Sequence, residues 1–427
     1  MCDQRDSRAI DWLGPSTPIS ARKRAARHVT VAIAWALASV FLVNVMRSAA
    51  MVAYAWDAID LSGNPGSAGW IFLAGALTAV FAGPLGGMVA DRIGFRNGIL
   101  SGETLASLAV GLYGTIHVSA EIPNTIIPLV LAAVIVSLGG TLTFPSLNSM
   151  LQLISPVGGA FRIASYNALA SGVAYVVGSV ASGLVIDWAS ADASFLMCGG
   201  ISIAAACVAG RVRAPTSARP SAEKGKSAQS GIRGVWDVMI LLAAHKRTRS
   251  LMLGFVAIFA IFNILNVFLP SFARYALLAN ATEVGVLRAA WSAGVIFGAL
   301  GLSVFPFGSD IKPYVLITWM IATGTAMMAL AECGTYVIGA ALLAIAGVSF
   351  TIVRSVLDGF VIMLIDEDKV GRVRGFVLSL TNLVGAVCFF GVTQLTESQV
   401  SMPFLLVGFV AVLSGFLVVG VTKEDDR

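Results

Sequence analysis

The sequence predicts an all-α membrane protein of twelve spanning helices in two six-helix halves, with both termini on the cytoplasmic side. Three observations predict it. The chain is 57% hydrophobic and only 12% charged, with a mean hydropathy of +0.86. Soluble domains carry roughly 25% charged residues, so lipid must replace water around much of this surface. Twelve apolar stretches approach the roughly 20 residues that a spanning helix needs. One long polar connection, between Arg211 and Arg249, separates six of them from the other six.

The stretches, in order, cover 29–54, 68–90, 98–118, 125–147, 164–186 and 192–210, then 250–273, 285–306, 313–331, 335–357, 375–396 and 402–421. The 44 glycines suit such helices, because small residues allow close approach in lipid. The predicted organisation is a cytoplasmic tail (1–28), a first bundle (29–210), a linker (211–249), a second bundle (250–421) and a short tail (422–427). Residues 211–230 are rich in Pro, Ser, Ala and basic residues, as a flexible connection is. Residues 231–244 are apolar and precede Lys246, Arg247 and Arg249, which predicts an interfacial helix with Trp236 at the boundary. No cleavable signal peptide is expected in the polar, basic first 28 residues.

Orientation follows from the basic residues. They crowd the segment before span 1, the central connection and the loops after spans 2, 4, 8 and 10. Arg274 and Arg288 are read as the basic residues of the opposite loops. Asp57, Asp60, Asp187 and Asp192 are read as solvated residues on that same outer side. Trp56, Trp70 and Trp188 are expected to be interface anchors. The net charge of +5 is thereby explained by topology, and no nucleic-acid partner is expected. The five cysteines have no metal-ligand spacing and read as small buried hydrophobes. No metal, cofactor, phosphate-binding loop or enzyme chemistry is expected, and the three histidines are scattered.

The halves carry traces of a duplication. Asn148 stands fourteen residues before Arg162, and Asp358 fourteen before Arg372. Asn44 and Arg47 in span 1 share their spacing with Asn263 and Asn266 in span 7. A charge at mid-bilayer costs at least about 2.5–3.5 kcal/mol. Arg47 is therefore expected to face the central cavity and to pair with something anionic, a substrate carboxylate or phenolate or an acidic side chain, with Asn44, Asn263 and Asn266 on the walls of that substrate cavity. A purely structural pair, or a place near the outer interface, is the competing reading for Arg47. Structural interhelical bonding is the competing reading for each asparagine. Glu103 in span 3 and Asp358 in span 10 are candidate protonatable coupling groups. For Asp358 a structural pair with Arg354 is the stronger alternative.

The loop after span 2 reads GGMVADRIGFRNGIL, with Gly87, Asp91, Arg92, Gly94 and Arg96 at fixed spacing. It resembles the signature loop of the major facilitator superfamily. The segments around Pro145, Asn148, Arg162, Asn167 and Gly172, around GRVRG (371–375), and GIRGVW (231–236) are similar to the drug and siderophore exporter branch, including enterobactin exporters and macrolide efflux proteins. The resemblance implies a secondary transporter that works by alternating access on a small molecule, with protons and the bilayer as its other partners. It implies a cell inner-membrane location, a monomer, and a cytoplasmic latch at the signature residues with Arg162 and Arg372. It also implies efflux of a siderophore, antibiotic, peptide toxin or drug. The chain departs from the antiporters of that branch in lacking an arginine within span 4 and the Gly-Pro motif of span 5. An importer on the same fold, or a non-transporting membrane sensor, remain the alternatives.

Overall fold

The computed structural model describes residues 19–119, 125–154, 160–212, 246–304, 313–364 and 370–422. Their long helices are α1 (Ile19–Ser62), α2 (Ser67–Ile93), α3 (Phe95–Ser119), α4 (Ile127–Leu153), α5 (Ala160–Trp188) and α6 (Ala191–Ala209). They continue as α7 (Lys246–Ala276), α8 (Ala281–Val304), α9 (Pro313–Ala331), α10 (Tyr336–Leu364), α11 (Val370–Thr393) and α12 (Met402–Thr422). No strand occurs among the described residues. Nine of these helices carry stretches long and apolar enough to cross a membrane, counted over the described residues. The other three hold shorter apolar stretches, Ser67–Gly83, Val315–Ala331 and Thr381–Thr393. The predicted interfacial helix at 231–244 lies outside the described residues.

Helix ends differ from the hydropathy windows in two informative places. α1 extends from Ile19 to Ser62, well beyond the 29–54 window. Its first turns are built from Ala, Arg and Lys, which favour helix without being apolar. Its far end stops where Gly63 takes a positive φ of 64° and donates to the Ile59 carbonyl. α8 begins at Ala281 rather than 285. Asn280 and Glu283 form a reciprocal cap there. The Glu283 N–H donates to Asn280 Oδ1 and the Asn280 N–H donates to Glu283 Oε2, both at 2.9 Å.

The packing falls into two matching sets of six. In the first, α1 packs on α5 and α6, α2 on α4, and α3 on α4 and α6. In the second, α7 packs on α11 and α12, α8 on α10, and α9 on α10 and α12. Adding six to each label of the first set gives the second. Between the sets the main contacts are α5 with α8 and α2 with α11, which exchange under the same rule. Glycines permit these approaches. A Cβ on Gly285 of α8 would lie 2.5 Å from the Ser179 carbonyl of α5, and one on Gly66 would lie 2.7 Å from the Val392 carbonyl of α11.

The cysteine reading needs one correction. Cys198 is fully buried, as expected, but Cys207 is exposed on α6. A thiol on an apolar helix face can meet lipid as readily as protein, since a membrane helix need not hide a small apolar side chain.

Candidate functional site

Polar groups inside the membrane are costly and therefore mark function or structure. Here they gather in three places.

The first lies inside the first bundle. Glu103 of α3 is 0% exposed. Thr143 Oγ1 of α4 donates to its Oε1 at 3.0 Å, and Ser202 Oγ of α6 donates to its Oε2 at 2.7 Å. Arg47 of α1 brings Nη2 to 3.9 Å from Glu103 Oε1. The Arg47 side chain is 14% exposed, and its guanidinium sits over the Phe144 ring, 4.4 Å from the centroid. Gly140 leaves the space on the other side, since a Cβ there would lie 3.1 Å from both Nη atoms. Arg47 Nε and Nη2 have no hydrogen-bond partner among the described residues. The structure thus joins two residues that the sequence marks separately.

The second place is a cavity of about 290 Å³ between the two sets of helices. α1 contributes Ser48 and α5 contributes Ser171 and Tyr175. α7 gives Phe262 and Asn266, α8 gives Arg288, Trp291 and Ser292, and α10 gives Phe350 and Arg354. Arg288 corrects a sequence expectation. It is not an outer-loop residue but lies two turns inside α8, 7% exposed. Starting the span at 285 put it at a window edge, whereas the Asn280–Glu283 cap starts the helix a turn earlier. Its Nη1 donates to the Asn266 carbonyl at 2.9 Å, its Nη2 to Asn266 Oδ1 at 2.8 Å and to Met51 Sδ at 3.4 Å.

Of the four residues expected on cavity walls, Asn266 lines this cavity, and Asn44, Arg47 and Asn263 are outside its lining. Asn44 donates to the Val40 carbonyl at 2.8 Å and to Ser171 Oγ at 3.3 Å, tying α1 to α5. Asn263 makes the equivalent local bond to the Phe259 carbonyl at 2.9 Å and lies against Gly385 of α11.

The third place is the end of the molecule where α1, α5 and α7 finish. Arg274 of α7 pairs with Asp60 of α1 and lies over the Trp56 ring at 4.8 Å. Ser271 Oγ donates to the Pro65 carbonyl at 2.6 Å, and Tyr275 OH to the Gly63 carbonyl at 3.1 Å. Asp187 of α5 accepts from the N–H groups of Ala281 and Thr282, at 3.1 and 2.8 Å. A carboxylate of one bundle thereby caps a helix of the other. Asp60 and Asp187 are exposed, as the sequence suggested, and also bond across the bundles, whereas Asp57 and Asp192 depart from that expectation. Asp57 is 4% exposed and accepts from Tyr113 OH at 2.5 Å, and Asp192 pairs with His117 at 2.9 Å. Their partners stand on other helices, where no local pattern reveals them.

At the opposite end, Gly94 separates α2 from α3 with φ +82°, a conformation that only glycine adopts freely. Arg92 and Arg96 are exposed. The Arg96 guanidinium stands near Gly210, where α6 ends, since a Cβ on Gly210 would lie 3.8 Å from Arg96 Nη2. Gly87 is in α2, with open space where a Cβ would stand. Asp91, Arg162, Asp358 and Arg372 lie in α2, α5, α10 and α11, with side chains outside the described set.

Two matching helical bundles around a largely apolar cavity that holds a buried arginine define the class of a multi-pass membrane transporter. Residues 36–389 match the Major Facilitator Superfamily, and the chain belongs to that superfamily. It is accordingly a transporter of small molecules rather than an enzyme. No curated protein matches the chain. Among solved structures it is similar to the nucleoside transporter NupG, with a TM-score of 0.71 at 15% identity, over 92% of this chain and 99% of that one. The xylose transporter XylE from E. coli, inward open, gives 0.69 at 11% identity, over 92% and 96%. A bacterial homolog of the human lysosomal transporter Spinster, inward-facing and occupied, gives 0.67 at 15% identity, over 92% and 97%. At such identities the likeness is one of fold.

Proposed function

We propose that this protein is a proton-coupled exporter of a small molecule in the cell inner membrane, and that the conformation described here faces the cytoplasm. The observation that carries alternating access is the set of contacts that joins the bundles at one end of the central cavity. The Asp60–Arg274 pair, the bonds from Ser271 and Tyr275, and the Asp187 cap all close one end of the central cavity. The positive-inside distribution makes that end the outer one, with both termini and the linker cytoplasmic. In the opposite state the Asp91, Arg92 and Arg96 loop, with Arg162 and Arg372, latches the cytoplasmic end.

Glu103 is the proposed coupling group. It accepts from two hydroxyls while Arg47 supplies the nearby positive charge. Adding a proton removes the negative charge, frees Arg47 and changes which helices the cluster holds together. Asp358 is the second candidate for that role. The exporter direction rests on the resemblance of the segments around 144–172, 231–236 and 371–375 to the drug and siderophore branch.

The test is flux in everted membrane vesicles under an imposed inward-acidic gradient, with accumulation measured in cells lacking the gene. Export predicts proton-dependent uptake into the vesicles and higher intracellular cargo in the deletion strain. Lower intracellular cargo in that strain would establish import instead. Glu103→Gln should abolish gradient-driven flux while leaving cargo binding intact.

A further inference from the structure

The described lining of the central cavity holds a buried cation, Arg288. Arg288 and Arg354 stand in the cavity's lining, and among the described residues no aspartate or glutamate does. Arg288 is the more telling of the two. Its hydrogen bonds go to a carbonyl, a side-chain amide oxygen and a thioether, all neutral. It forms no ion pair among the described residues. A guanidinium offers five N–H donors, so two remain for a ligand. Withdrawing such a group from water without a counter-charge costs several kcal/mol. The cost is met elsewhere in this protein by carboxylates, as Arg47 and Arg274 show.

Asn266 takes both Nη atoms, one with its backbone and one with its side chain, and so fixes the guanidinium plane. Around it stand Phe262, Trp291 and Phe350, with the Trp291 and Phe350 rings 5.3 Å apart. A charged anchor beside an aromatic wall selects an amphipathic ligand. A volume of about 290 Å³ is at the lower edge of small-molecule sites, so the ligand is compact.

We propose that the cargo is a small organic monoanion, its carboxylate held by Arg288 and its apolar or aromatic body packed on Phe262, Trp291 and Phe350. That this ligand is cargo rests on the transport reading above; that the cavity selects an anion rests only on the lining. Arg288 is the buried cation of the described lining, while Arg354 is exposed, so one negative charge is balanced there, which sets a carboxylate above a phosphate dianion.

The test uses the purified full-length protein in detergent, followed by thermal unfolding and tryptophan fluorescence. The probes are benzoate, 2-naphthoate and indole-3-acetate, each beside its primary amide and its amine counterpart, with inorganic phosphate as a further control. The expected result is an acid that binds at least about ten-fold more tightly than its amide, equivalent to about 1.4 kcal/mol. Arg288→Gln should erase that preference, and Arg288→Lys should keep part of it. Amides or amines that bind as well as the acids, phosphate alone binding, or no acid exceeding its amide would each overturn the proposal. If Arg288→Gln fails to fold, the acid-over-amide preference of the unaltered protein decides the matter. Flux separates the two readings. Acid-selective binding without movement of any probe across proteoliposomes would refute transport and leave the anion site standing. Movement of neutral or cationic probes alone would do the reverse.

Discussion

The two bundles share a packing scheme and treat their buried arginines differently. In the first, Arg47 turns inward toward Glu103, and Thr143 and Ser202 complete the shell of that carboxylate. In the second, the position matching Arg47 is Asn266, which holds Arg288 at the cavity by two neutral bonds. The neighbouring pair keeps the symmetry, since Asn44 and Asn263 each bond the carbonyl four residues back. One bundle therefore balances its charge internally, and the other leaves a positive charge facing the shared cavity. A duplicated scaffold can in this way carry a carboxylate-paired arginine in one half and, in the other, a cavity-lining arginine with no carboxylate partner among the described residues.

The largest effect should come from breaking the balanced pair. Glu103→Ala should lower stability by about 3 kcal/mol, because it strands Arg47 in the bundle. Adding Arg47→Met to it should recover part of that loss in the same unfolding assay. Equal losses for the single and double variants would mean that the pair is uncoupled. Removing the cross-bundle cap is a smaller change. Asp187→Ala should cost about 1 kcal/mol, and should raise the labelling rate of a cysteine placed at Thr282. Asn44→Ala should cost about 0.6 kcal/mol, typical of a polar contact between membrane helices. The smallest effect on stability should be that of Arg288→Met, close to neutral, since an apolar side chain can replace a buried cation at little cost. Carboxylate binding should nevertheless be lost. A destabilisation as large as that of Glu103→Ala would make Arg288 a structural residue and erase the contrast between the halves.

Much of the fold is legible in the sequence, because hydropathy windows report lipid exposure directly. Each of the twelve windows has a long described helix at its place. The polar sites are less legible. Arg47 and Glu103 stand out as charges within apolar stretches, but their pairing joins α1 to α3 across 56 residues of chain, and no local spacing encodes it. Arg288 was recoverable. The run from Asn280 to Glu283 carries a capping signature, and a helix starting there places residue 288 about 10 Å along its axis. An apolar window discounts charges at its edge, which is why the residue reads as a loop arginine. Asp57 illustrates the opposite limit. Nothing near it in the chain indicates that Tyr113 covers it.

The Asp187 cap has a consequence for the solvent. While the bundles touch, the first N–H groups of α8 and the Asp187 carboxylate satisfy one another. In the alternating-access cycle proposed above that end parts and both surfaces must be wetted, so each opening would draw water into the protein. Solutes too large to enter, such as sucrose or long polyethylene glycols, withdraw that water and hold the end shut. The turnover rate then becomes a gauge of osmotic pressure. Because α8 carries both the capped N–H groups and Arg288, the proposed cycle would couple the uptake of water at the rim to the repositioning of the cavity's charge.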